Sequence, residues 1–309
     1  MSAMKKTGGE WGGDREAMSR GLQKFRSIGE YKESFPLPHE FEPMLPLRDN
    51  IPSRTFPTIN YAMIALCTVC FLAQLAGLGD GRDELIEKYG MIPARIGHPD
   101  AEIPIPVERP QWSPGNVLAP GGFVLADKPP FAPIFTLLTC IFLHGGWGHF
   151  LGNMWFLHIF GDNVEDRMGH LGYLIFYLLA GVAASLGHYL AAVNSGIPTI
   201  GASGAIAGVM GAYMVLYPRS MVMSLIPLGF LTQIVAIPAP VFLGIWFVIQ
   251  LLSGTAGSSE GVAWWAHIGG FVFGAAIAFL LKLTGLTNPQ MEYRKQYQDP
   301  FTSYRVLDR

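Results

Sequence analysis

Gly201-Ala202-Ser203-Gly204-Ala205-Ile206-Ala207-Gly208-Val209-Met210-Gly211 opens an apolar run that continues to Tyr217 without a charge. Gly201 suits a tight turn into a helix, because it adopts backbone angles closed to other residues. Ser203 then falls at or near the helix N-cap, where free backbone N–H groups gather. Those donors either cap the helix or stabilise an oxyanion beside a nucleophilic hydroxyl. Gly204, Gly208 and Gly211 put small residues along one face, which in a membrane lets another helix approach closely. Taken alone, the stretch reads as a close-packed membrane helix with an idle serine. The rest of the chain decides against that reading.

Half of the 309 residues are hydrophobic and only 14% are charged, with a mean hydropathy of +0.32. A soluble domain carries roughly 25% charged residues, and long uncharged runs point to a multi-pass membrane protein. The net charge of -2 gives no sign of nucleic-acid binding. Cys67 and Cys70 share a face of an apolar helix, which reads as packing, and no metal site or disulfide framework is implied.

Residues 1–57 form a polar cytoplasmic tail with no apolar leader, so no cleavable signal peptide is expected. Six spans follow: Thr58–Leu78, Gly146–Val164, Leu171–Val193, Ser203–Tyr217, Pro240–Leu252 and Val262–Leu283. Residues 79–130 are a long extracytoplasmic first loop, and 284–309 a cytoplasmic C-terminal tail. Ile134–Leu143 is too short to span and reads as an interfacial or re-entrant lead-in. Met221–Ile237 is apolar but broken by Pro227 and Gly229, which leaves its path open. The expectation is an all-α membrane protein, a bundle of six transmembrane helices with both termini inside. That orientation places sixteen Lys/Arg on the inner segments and five outside, all five in the first loop. The fourth span covers about 22 Å at about 1.5 Å per residue, short of a core about 30 Å thick. Ser203 is therefore expected below the outer surface.

Polar side chains inside spans are functional hypotheses by default. His149 and Asn153 are four apart, hence on one helical face at the outer start of the second span. His144 precedes them, and His267 lies a few residues into the outer half of the sixth span. Ser203 comes to the same depth. A serine hydroxyl needs a base within hydrogen-bond reach, and His267 suits that role. From Leu171 to Lys282 the only acid is Glu260, whose loop position reads as solvated, so a Ser–His dyad is the economical reading. His149, Asn153 and the Ser203 backbone N–H then face the developing oxyanion. His158 and His170 read as interfacial, His188 as making a packing hydrogen bond, and Trp264 and Trp265 as part of the outer aromatic belt.

Three motifs, in this order on these spans, resemble those of the rhomboid intramembrane serine proteases. They are His144 with His149 and Asn153, Gly201-Ala202-Ser203-Gly204, and Ala266-His267-Ile268-Gly269-Gly270. Asn163-Val164-Glu165-Asp166-Arg167-Met168-Gly169 also resembles the close of that family's second helix. The resemblance covers 58–283 as a six-helix protease core. It implies cleavage of transmembrane segments of other membrane proteins in a lipid bilayer, without a cofactor, through an acyl-enzyme. It assigns Ser203 as nucleophile and His267 as base and then acid. His149, Asn153 and the Ser203 backbone are implied as the oxyanion site, with His144, Gly201 and Gly204 in support. The implied setting is a bacterial plasma (inner) membrane; the oligomeric state is left open. Two departures stand out. Ala207 occupies the place of a Tyr that in some members stacks on the catalytic histidine. A Trp-Arg pair of some first loops is absent, with Arg109 and Trp112 the nearest substitutes. A catalytically inactive relative acting as a binding or trafficking module is the rival reading, and both Ser203 and His267 argue against it. A metalloprotease lacks His-Glu-x-x-His, and a transporter lacks a repeat and mid-membrane charges.

Overall fold

A computed structural model describes residues 44–77, 82–101, 103–106, 123–228, 231–256, 262–287, 293–294 and 305–306. The tail before Met44, Arg109, Trp112 and Glu260 lie outside the described residues. In chain order the elements begin with β1 (Leu45–Asp49), α1 (Thr58–Leu75), α2 (Arg82–Tyr89) and α3 (Pro93–Gly97). A small hairpin, β2 (Pro104–Pro106) and β3 (Phe123–Leu125), follows. Next come α4 (Thr136–Thr139), flanked by 3-10 turns, then α5 (Trp147–Met168), α6 (His170–Ala191) and α7 (Ser203–Leu216). The chain continues through β4 (Met221–Leu228), β5 (Leu231–Pro238), α8 (Ala239–Ala256) and α9 (Trp264–Leu283), with short strands β6 (Tyr293–Arg294) and β7 (Arg305–Val306).

Helices α1, α6, α8 and α9 are each long and apolar enough to cross a membrane. The short lead-in Pro133–Phe142 and α5 together would make a fifth span, bent by 80° at their junction. The molecule has an all-α, multi-pass membrane fold, and among the described residues the strands lie outside its long apolar helices. At 14 residues, α7 is apolar but shorter than the other spanning helices.

Helix α7 owes its central place to small residues. A Cβ added at Gly204 would stand 2.6 Å from that of Ala184, and one at Gly208 would stand 2.7 Å from that of Ala180, both on α6. On the other side, Gly270 and Gly274 of α9 lie against the backbone oxygens of Gly204 and Gly208, with no room for a side chain. Close backbone approach substitutes here for the hydrophobic drive that a bilayer does not supply.

The apolar stretch Met221–Ile237, whose path composition leaves open, is a β-hairpin. Strand β4 pairs antiparallel with β5 from Met221↔Pro238 to Leu228↔Leu231, and β1 adds to it, giving the order β1-β4-β5. Pro227 interrupts a helix but is tolerated near the end of a strand, and the Val and Ile residues suit both strands.

Two carboxylates on the last turn of α5 fix the start of α1. Helix α1 has no side-chain cap of its own. Glu165 accepts instead from the Ile59 and Asn60 N–H groups at 3.0 and 2.8 Å. Asp166 accepts from the Arg54 and Thr55 N–H groups and from the Thr55 hydroxyl. Gly169 alone joins α5 to α6, with a φ of +73° that disfavours any side chain.

Candidate active site

Ser203 is the first residue of α7, and the N-cap is Ala202 with no side-chain cap bond. The hydroxyl is therefore not used for capping. It lies 2.8 Å from His267 Nε2, on the first turn of α9. Sequence places these residues 64 apart; packing of α7 on α9 through the paired glycines brings them together. On its other side, the His267 ring places Nδ1 2.7 Å from the side-chain oxygen of Gln250 on α8. The Trp246 and Trp264 rings lie 5.8 and 6.2 Å from His267, centroid to centroid. Ala207 is fully buried in α7 and offers no ring to the histidine.

His149 and Asn153 lie one turn apart near the start of α5. The Gly145 N–H points at His149 Nδ1 from 3.3 Å, so Nδ1 accepts and the proton belongs on Nε2. Gly201 holds a φ of +124°, and a Cβ there would fall 2.6 Å from His149 Nε2 and 3.7 Å from the Ser203 hydroxyl. His149 Nε2 and Ser203 thus border one small space that Gly201 leaves open. Asn153 is buried, and its Nδ2 has no hydrogen-bond partner among the described residues.

His144 is fully buried in the link between the lead-in and α5, with both ring nitrogens unpartnered among the described residues. Its ring packs on His149 (5.4 Å) and on Phe71 and Phe150. Its backbone is held from both sides by Gln74 of α1: the His144 N–H donates to Oε1 at 3.0 Å, and Nε2 donates to the His144 carbonyl at 3.3 Å. The Gly201 loop is fastened in turn by its N–H to the Cys140 carbonyl at 2.9 Å.

His158 and His170 stay away from this cluster; His170 pairs with Glu165, and His158 lies near Tyr61. The packing hydrogen bond expected of His188 is not found at its Nδ1, which is buried without a partner among the described residues. Gln250, Trp246 and Gln74 are absent from the expected set. The signal of Gln250 and Gln74 is the one that marks the histidines, a polar group in an apolar helix. No group of three or more metal-ligating side chains occurs among the described residues.

A family model for the rhomboid domain matches residues 132–283, which include every residue of this cluster except Gln74 and Phe71. RHOMBOID-like protein 1 of Arabidopsis thaliana is 32% identical over 167 residues, 54% of this chain and 38% of that one. Rhomboid protease GluP of Bacillus subtilis is 33% identical over 149 residues, covering 48% of this chain and 26% of its own length. Rhomboid-like protein 11, chloroplastic, of Arabidopsis thaliana is 37% identical over 78 residues, 25% of this chain and 28% of its own. The chain thus spans less than half the length of each. A plant and a bacterium both supply relatives, which does not single out a bacterial inner membrane.

Proposed function

We propose, from the premise that this chain belongs to the rhomboid family, that it is an intramembrane serine endopeptidase acting through Ser203 and His267. The observation that carries the reading is the 2.8 Å approach of His267 Nε2 to the Ser203 hydroxyl at the head of a buried helix. The substrates are transmembrane segments of other membrane proteins, met in the bilayer by a core of residues 58–283. Six spans with both termini inside are the topology that accompanies this reading.

In the first step His267 Nε2 takes the Ser203 proton while the hydroxyl oxygen attacks the scissile carbonyl carbon. The carbonyl π electrons move to oxygen, where the His149 Nε2–H, the Asn153 amide and the Ser203 N–H donate to the negative charge. His267 then passes its proton to the departing nitrogen as the C–N bond breaks, leaving an acyl-enzyme. A water molecule gives a proton to His267 and attacks the ester carbon; as the bond from that carbon to the Ser203 oxygen breaks, His267 returns the proton to Ser203 and the acid product leaves. Gly201 and Gly204 support this by leaving space beside the hydroxyl, and His144 supports the loop that carries His149.

Purified protein in liposomes with a panel of single-pass substrates tests the reading. Cleavage is expected for the wild type and is lost in Ser203→Ala and in His267→Ala, each still folded by thermal melting. Wild-type cleavage rates in either variant would overturn the dyad. Failure of the wild type across the panel would favour an inactive binding module.

A further inference from the structure

Imidazole has two nitrogens and, when neutral, one proton, so a histidine can serve as a base at Nε2 only while Nδ1 holds the proton. In many sites a carboxylate enforces that tautomer. Here Nδ1 faces an amide oxygen: Gln250 Oε1 lies 2.7 Å away and its residue is 3% exposed. We propose that Gln250 is a positioning residue of the reaction, holding His267 as its Nδ1–H tautomer with Nε2 aimed at Ser203. The proposal rests on the Ser203–His267 reading above.

Three observations converge on it. Gln250 is a buried amide within an uncharged stretch that runs from Ser220 to Ser259, where an unneeded polar group is costly. It is placed to make a two-sided relay, since the same ring bonds Gln250 at Nδ1 and Ser203 at Nε2. Trp246 lies one helical turn before it on α8 and sets its ring 5.8 Å from His267, tilted by 36°. Residues four apart on a helix share a face, so α8 offers one imidazole both a hydrogen-bond acceptor and an apolar wall. Ala207 of α7 provides neither. The other tautomer would set two lone pairs against each other at Nδ1 unless the amide turned over, and then Nε2–H would point at Ser203 and could not accept its proton.

The geometry makes a distinction that packing alone does not. Gln250→Leu keeps the volume but removes the acceptor; Gln250→Glu keeps an acceptor at the same reach. Partners that orient a metal-bound histidine are typically worth about 10–100-fold in activity, and the same range is expected for Gln250, which orients a general base in the same way. The expected result is a kcat lowered about 10–100-fold in Gln250→Leu with KM changed less than about twofold, and recovery toward wild type in Gln250→Glu. Nitrogen-15 NMR of histidine-labelled protein reads the tautomer without any turnover. His267 in the wild type is expected as Nδ1–H, and as a mixture or as Nε2–H in Gln250→Leu. An Nε2–H signal for His267 in the folded wild type overturns the proposal even where the Leu variant fails to fold. So does wild-type kcat in Gln250→Leu while Ser203→Ala and His267→Ala are inactive. Activity persisting in those two controls would instead remove the dyad reading beneath it.

Discussion

Asn153 carries a buried amide nitrogen with no acceptor among the described residues, on the α5 face that also holds His149. An unpaired buried donor costs about 1–3 kcal/mol, and an oxyanion arriving beside it would offset that cost. Asn153→Ala should therefore lower kcat by about 10²–10³ with little loss of thermal stability. Single-turnover cleavage beside a melting curve checks both, and full activity would leave Asn153 a packing residue. His149→Ala should behave alike, with a non-additive double variant, because both donors serve one charge. Gly201→Ala should lose activity for a different reason: its Cβ would fall 2.6 Å from His149 Nε2 at a φ of +124°. Ser203, His267, His149 and Asn153 were legible in sequence because each is polar where its neighbours are apolar. Gln250 and Gln74 were not, because their roles depend on which ring or loop backbone the fold brings opposite them. Gln74 meets His144 across 70 residues of chain.

The helices follow from apolar runs whose ends are marked by charge, Pro or Gly, and observed and expected boundaries agree within a few residues. The β4–β5 hairpin was not legible. Both of its faces are apolar, so a period of two cannot be told from one of 3.6. Strand β1, within the segment that sequence marks as a polar tail, was not legible either, because its partner Leu225 lies far along the chain from Leu45. The trans cap of α1 is similarly non-local, and it makes Glu165 a stability residue. Glu165→Ala removes two charged-acceptor bonds from backbone N–H groups and should destabilise the protein by roughly 2–4 kcal/mol. Denaturant titration in detergent measures this, and an unchanged midpoint would count against the cap. Asp49 on β1 accepts from Asn163 Nδ2 and the Tyr213 hydroxyl. Burial pushes its carboxyl up to about 8 from an ordinary 3.8, against the pull of Tyr213, with the Asp162 charge adding to the rise. Between those values the folded state binds the proton more tightly than the unfolded chain does. Its contribution is thus full below 3.8 and is lost as the pH rises toward about 8. Asp49→Asn should raise the melting temperature relative to wild type more at pH 9 than at pH 5; an equal offset at both would refute the assignment.

At the scale of the whole molecule, long-range contacts sort the connections into two groups. In one, β1 pairs with β4, the Glu165–Asp166 pair holds residues 54–60, and Arg167 bonds Thr287 at 2.9 Å. In the other, Met91 and Thr199 bond each other's backbones at 3.0 and 2.8 Å, and the Ala94 N–H bonds Ser195. The N-terminal segment thus groups with the α5–α6 turn, the hairpin and the exit of α9, and the first loop groups with the loop that leads into Ser203. A bilayer crossed at each successive helix would produce such a partition, and the proposed topology, with its Lys/Arg excess inside, would put the first group there. With α7 at 14 residues, about 21 Å long, Ser203 would then sit beneath the outer surface of a core about 30 Å thick. Cysteine labelling in sealed right-side-out vesicles tests the arrangement. The native Cys67 and Cys140 are buried and Cys70 is half-buried on an apolar helix, so the background should be low. An impermeant maleimide should label Ser113→Cys in intact vesicles, and Ser19→Cys and Ser303→Cys only after permeabilisation. Equal labelling of Ser19→Cys and Ser113→Cys in intact vesicles would put both ends of α1 on one side. That result would remove the α1 crossing and overturn the six-span arrangement with both termini inside, whereas labelling of Ser113→Cys only after permeabilisation would overturn the outward opening of the Ser203 site.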